Sequence, residues 1–255
     1  LDLQELLKSS GADVRWEHAA SIPVSLYGLH QPYTGSHTID DAAQTLRPYG
    51  GRAFTSYSFQ ASKILSTGEG GMLVTDDIGL ATAAREFSSL GYRMRPDQPR
   101  IDPAVLKSPT YERHHRLGYN YRMNDITARH GLNALLTADR DLTDRRAAAA
   151  IYRDAIAGCD WLTPQYIPDG WTHDYWTYAV ACDTPDRARL LADRMVHHGG
   201  ERPYPAWRLT YQEPAFRHLA QDGTCPVAES LQPRLLQMAT NSIAAAAMNA
   251  HALRH

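Results

Sequence analysis

Lys63 stands in the stretch SYSFQASKILSTGEGGMLVTDD, residues 56–77, between a serine-containing aromatic segment and a glycine-rich turn. A primary amine held partly out of water is a nucleophile toward a carbonyl and, once released, a base. IDDAAQ upstream supplies Asp41 and Gln44, and Ser58 lies five residues before the lysine. An amine, a carboxylate, a hydroxyl and a run of glycine amides suit a ligand that carries an aldehyde, a basic ring nitrogen and a phosphate. Each residue also has an ordinary reading: Asp and Lys are mostly solvated, and GEGG is most often a hairpin turn, because glycine permits positive φ.

The elements that must position these groups are legible in outline. LDLQELLKSS reads as a short amphipathic helix, with acids early and a lysine late. ASIPVSLYG, SHTIDDAAQ, RAFTSYSF and GGMLVTDD read as strands closed by Gly, acids or polar turns. IGLATAAREFSSLGY places Leu80, Ala83, Ala84, Phe87 and Leu90 at helical spacing, with Gly91 as its C-cap. A Pro- and charge-rich loop covers 96–116, and Asn124 to about Ile156 reads as one long helix or two abutting ones. Its expected apolar positions include Ile126, Leu132, Leu135 and Leu142. HDYWTYAVAC alternates as a half-buried strand and DRARLLADRMVHHG is helical. Strands alternating with helices predict an open α/β sheet, mixed and mostly parallel, flanked by helices, with polar groups at its carboxyl edge. We place a large domain at 1–145 and a smaller C-terminal α+β domain at 146–255.

With 26 Lys plus Arg against 28 Asp plus Glu, net charge draws the chain toward neither nucleic acid nor membrane. Three scattered cysteines, Cys159, Cys182 and Cys225, make neither a disulfide framework nor a zinc pair, and fit a reducing cytoplasm. The paired histidines 114–115 and 197–198 have no third ligand beside them, so no metal site is expected. The first residue is not methionine, and we expect further sequence before Leu1.

Pyridoxal phosphate asks for the set gathered around Lys63: a lysine for covalent attachment, a carboxylate for the pyridine nitrogen and donors for the phosphate. The run IDDAAQ, then SFQASKILSTGEGGMLVTDD, then LGYNYRMNDI resembles, in order, the motifs of the DegT/DnrJ/EryC1/StrS sugar aminotransferases. The resemblance implies the fold type I aspartate aminotransferase architecture and a ping-pong transfer of an amino group from glutamate or glutamine to a keto sugar, nucleotide-linked or octulosonate-type. It assigns Lys63 as cofactor-attaching lysine and acid/base, Asp41 to the pyridine nitrogen, Gln44 to the ring hydroxyl and Ser58 to the phosphate. It implies a homodimer with shared sites, in which Asn120 reaches the neighbouring subunit's phosphate. Arg122 is expected either on the donor carboxylate or as a structural arginine.

The chain also departs from the resembled pattern. Ser25 stands where the family commonly has histidine, and the links between LYG and DDAAQ and between Gln44 and Ser58 are short. A crossover between parallel strands needs a dozen or more residues. The alternative expectation is therefore a truncated, non-catalytic homologue that acts as a partner or regulatory subunit.

Overall fold

The computed structural model describes residues 20–30, 35–46, 52–97, 101–219 and 222–254. The helix expected over LDLQELLKSS lies outside them. The chain divides into two compact units, Leu1–Ser25 with Gln31–Leu136, and Leu26–His30 with Thr137–His255.

The first unit is built on a sheet of β1 (Gly35–Asp41), β2 (Arg52–Ser58) and β3 (Gly71–Val74), in that order. β1 and β2 are parallel, with Asp40 opposite Thr55 and Asp41 opposite Ser56, and the register shifts between Gly35 and Ile39. β3 runs antiparallel to β2, pairing Ser58 with Gly71 and Thr55 with Val74. On the far side of β1 the segment Ser21–Ser25 lies parallel through isolated bridges, Ser21 to Thr38 and Val24 to Asp41. The strand expected at ASIPVSLYG is thus reduced to single bridges. Pro23 explains why: it accepts from the Asp41 amide at 3.0 Å but has no N–H to extend a ladder.

Between β1 and β2 lies a buried ion pair. Asp40 and Arg52 contact each other with side chains 0 and 1% exposed. Adjacent strand residues point to opposite faces, so Asp40 going inward leaves Asp41 for the other side.

Helix α1 (Ile78–Ser88) starts at Asp77, whose carboxylate accepts from the Leu80 amide at 2.9 Å, an N-cap that satisfies one orphan donor. Its burial differs from the expected apolar stripe. The buried positions at its end are Glu86 and Ser89, while Phe87 is 46% exposed. Leu90 (φ 64) and Gly91 (φ 71) both take the left-handed conformation just past the helix. Helix α2 (Asp125–Leu135) is capped by Asn124, which accepts from the Thr127 amide at 2.9 Å. Ile126, Leu132 and Leu135, expected as packing positions, are exposed. Periodicity marks an apolar face without specifying what covers it.

The second unit carries an antiparallel sheet of β4 (Leu162–Pro164), β5 (Thr177–Cys182), β6 (Tyr204–Pro205) and β7 (Leu235–Ala239), ordered β4-β5-β7-β6. Helices α3 (Ala138–Ala155), α4 (Pro185–His197) and α5 (Ile243–Arg254) enclose its core, where Tyr152, Val180, Leu191, Met195, Met238 and Ala246 cluster. The region from Asn124 to Ile156 is therefore two abutting helices. Rather than half-buried, β5 is a central strand buried at five of its six positions. Tyr152 fixes the packing: its hydroxyl donates to Ala239 O at 2.8 Å and accepts from Asn249 Nδ2 at 2.9 Å. Among the described residues no helix is long and apolar enough to cross a membrane.

Candidate active site around Lys63

Because β1 and β2 are parallel, their carboxyl ends share one edge of the sheet, and four of the expected groups collect there. Asp41 is the last residue of β1, half-buried, and its Oδ1 accepts from the Ala43 amide at 3.1 Å in a tight turn. Ala42 N donates to Ser56 O at 2.9 Å, which ties that turn to β2 and leads into Gln44, also half-buried. Ser58 ends β2, and its Oγ accepts from the Gln60 amide at 3.4 Å.

The Lys63 loop then closes on itself. Phe59 N donates to Gly70 O and Thr67 N to Phe59 O, both at 2.8 Å, so the two ends of the loop are pinned together. Within it, Lys63 N donates to Gln60 O at 2.9 Å. The Gln60 Oε1 accepts from the Ser62 amide at 2.8 Å and the Ser62 hydroxyl at 2.7 Å. Leu65, 4% exposed, plugs the loop into the core two residues after the lysine.

Lys63 is half-buried, and burial lowers its amine from the ordinary lysine value, while the negative charge of Asp41 raises it part of the way back. Loss of water disfavours the ammonium, and a nearby carboxylate favours it. An amine so placed is neutral more often than a surface lysine at the same pH, which is what a nucleophile and proton carrier needs.

The third motif supports the second. At Gly70 a Cβ would fall 2.7 Å from Met123 Cε and 2.8 Å from Thr67 Oγ1, and at Gly131 in α2 one would fall 2.9 Å from Thr67 Cγ2. Gly70 has φ +150, a conformation that favours glycine, and the side chains of Thr67 and Met123 pack closely against it, so the second and third motifs meet at this turn.

Asn120 and Arg122 are both exposed and line an open cavity of about 1090 Å³ with Phe54, Met72, Val74 and Phe87, a cavity that Lys63, Asp41, Gln44 and Ser58 do not line. It runs along β3, whose four residues are all exposed. Cavity size and chemistry thus part company here. Lys63, its amine lowered by burial, follows the strand ends instead.

The sequence reading passed over Gln60 and Thr67, which shape the lysine loop, and Glu86, whose helix pattern hid it among apolar neighbours. The donor set at the edge fits pyridoxal phosphate: an amine depressed by burial, a carboxylate acting on it, and a hydroxyl at the adjoining strand end.

The chain matches the model of the DegT/DnrJ/EryC1/StrS aminotransferase family over residues 34–247. It is 29% identical over 195 residues to GDP-perosamine synthase of Caulobacter vibrioides, covering 72% of this chain and 48% of that protein. It is 29% identical over 242 residues to UDP-N-acetyl-3-dehydro-alpha-D-glucosamine 3-aminotransferase of Acidithiobacillus ferrooxidans, covering 86% and 58%. Among solved structures, S. venezuelae DesV superposes with a TM-score of 0.80 at 23% identity, over 98% of this chain and 67% of that one. Helicobacter pylori PseC, an aminotransferase involved in the biosynthesis of pseudoaminic acid, gives 0.77 at 19%, over 98% and 68%. These superpositions establish the fold. The chain spans about half the length of curated relatives that it matches.

Proposed function

Because the chain belongs to the DegT/DnrJ/EryC1/StrS aminotransferase family, we propose that it carries the lysine-bearing part of a site that passes an amino group from glutamate or glutamine to the ketone of a sugar, in the making of an amino sugar. The observation that carries this reading is the half-buried Lys63, its amine lowered by burial and acted on by Asp41 at the shared edge of two parallel strands.

Pyridoxal phosphate, when bound, supplies the aldehyde for attachment and the electron-withdrawing ring. Lys63 Nζ is the attachment point and, once free, takes and returns the proton at the reacting carbon. Asp41 would hold the ring nitrogen cationic, and Gln44 and Ser58 would bind the ring hydroxyl and the phosphate. Asn120, exposed on a cavity that Lys63 does not line, serves a neighbouring copy in a homodimer with shared sites. Arg122 binds the donor carboxylate through its planar fork. Relatives named for GDP- and UDP-linked compounds support a nucleotide-linked keto sugar, and a cytoplasmic location goes with that substrate.

The test is to incubate the purified protein with pyridoxal phosphate, desalt it, record the visible spectrum, reduce with borohydride and map the modified peptide, with Lys63→Ala as control. A yellow species that borohydride fixes on Lys63 supports the reading, and amino-donor screening follows. A folded protein that stays colourless overturns it in favour of a non-catalytic homologue.

A further inference from the structure

The Glu86 carboxylate, in a side chain only 6% exposed, is gripped from three directions. Its Oε1 accepts from the Met94 amide and from His115 Nε2, each at 3.0 Å, and its Oε2 accepts from Arg116 Nε at 3.0 Å. Two of those donors belong to the segment that runs on to Asn120. That segment then crosses the end of α1 backbone to backbone. Tyr119 N donates to Phe87 O at 2.7 Å, Tyr121 N to Ser88 O at 2.9 Å and Leu90 N to Tyr119 O at 2.9 Å. The orphan carbonyls of the helix end are thereby satisfied by the loop. The crossing leaves no room for side chains: a Cβ at Gly91 would sit 1.8 Å from Arg116 O, and one at Gly118 would sit 2.3 Å from Gly91 N. Asn120 lies between the two anchored amides, bridged to Ser89, and is exposed at the cavity wall.

We infer that Glu86 is a positioning residue for Asn120: by holding His115 and Arg116 it fixes where the 118–122 segment crosses α1, and so where the carboxamide is presented. This rests on the reading of Asn120 as a phosphate ligand proposed above. A carboxylate at a buried helix position has a desolvation cost that three donors offset, and the three donors span the segments that the crossing must hold.

Two readouts decide it, each in wild type, Glu86→Ala, Glu86→Gln and Asn120→Ala. The first is native-state amide exchange at Tyr119 and Tyr121, with the Phe59 and Thr67 amides of the lysine loop as internal reference. The second is equilibrium binding of pyridoxal phosphate against pyridoxal, which lacks the phosphate. In Glu86→Ala the Tyr119 and Tyr121 amides exchange at least about tenfold faster, the worth of one charge-assisted hydrogen bond, while the reference amides do not. Pyridoxal phosphate binding weakens by a similar factor and pyridoxal binding does not, matching Asn120→Ala, and Glu86→Ala combined with Asn120→Ala loses nothing more. Unchanged exchange at Tyr119 and Tyr121, or equal weakening for both ligands, overturns the inference. If wild type binds neither ligand, the functional reading fails, and the exchange comparison alone decides whether Glu86 sets the segment. If Glu86→Ala does not fold, the isosteric Glu86→Gln carries the same comparison.

Discussion

Asp41 acts on Lys63, 22 positions on in sequence, at the carboxyl edge of β1 and β2: burial lowers the amine and the carboxylate raises it part of the way back. The balance between the two effects sets how much neutral amine the site holds near neutral pH.

The sign of that balance is testable with three lysines in the chain, Lys8, Lys63 and Lys107. Competitive acylation followed by peptide mass spectrometry across pH 6–11 should give Lys63 a midpoint below that of the exposed Lys107. Removing the Asp41 charge with Asp41→Asn removes the influence that raises Lys63, so its midpoint should fall further. A Lys63 that titrates with Lys107, or moves upward in the variant, contradicts the placement.

The Asp40–Arg52 pair is buried on both sides, and breaking such a pair leaves a stranded charge. Arg52→Met is expected to cost about 3–5 kcal/mol in urea unfolding. Asp40→Leu combined with Arg52→Met should recover most of that loss, since apolar replacement of both partners is often neutral. A double variant as unstable as the single one would show that the pair, and not charge removal, holds the β1–β2 register.

Glycines at the crossing and at the lysine turn should differ sharply. Gly68 has φ +83 with nothing within 4 Å of a Cβ, so Gly68→Ala should cost about 1 kcal/mol, the conformational term alone. Gly91→Ala meets Arg116 O as well and should cost several-fold more, on the order of 3 kcal/mol or above. Thermal unfolding of the two variants gives the comparison.

Glu86 makes the first unit sensitive to acid. Burial pushes its carboxyl up, but the Met94 amide, His115 and Arg116 more than offset this and hold it below the ordinary 4.5. A carboxylate lowered in the folded state contributes stability that is full above its unfolded value and is lost as pH falls through the folded one. Urea stability of wild type and Glu86→Gln should therefore differ at pH 7 and converge as pH falls from the ordinary carboxylate value near 4.5 through the lower folded one. Curves that stay parallel across the whole acid limb would contradict this role for Glu86.

Much of the lysine edge was legible in the sequence because its determinants are local. Strand patterns end at IDDAAQ and SYSF, the Lys63 loop begins within a turn of Ser58, and the three motifs keep the order of the family. Sequence alone therefore determined the family and the order of its three motifs along the chain. The rest depends on contacts between residues distant along the chain. The burial of Asp40 against Arg52 needs β1 and β2 to pair. The grip on Glu86 needs residues 94, 115 and 116 to return to one helix turn. Whether Ile126 and Leu132 on α2 are covered is a matter of neighbours, to which helical period is blind. Only the tertiary structure decided that Asn120 lines a cavity that Lys63 does not line, because sequence order lists a motif's residues without saying which of them face one another.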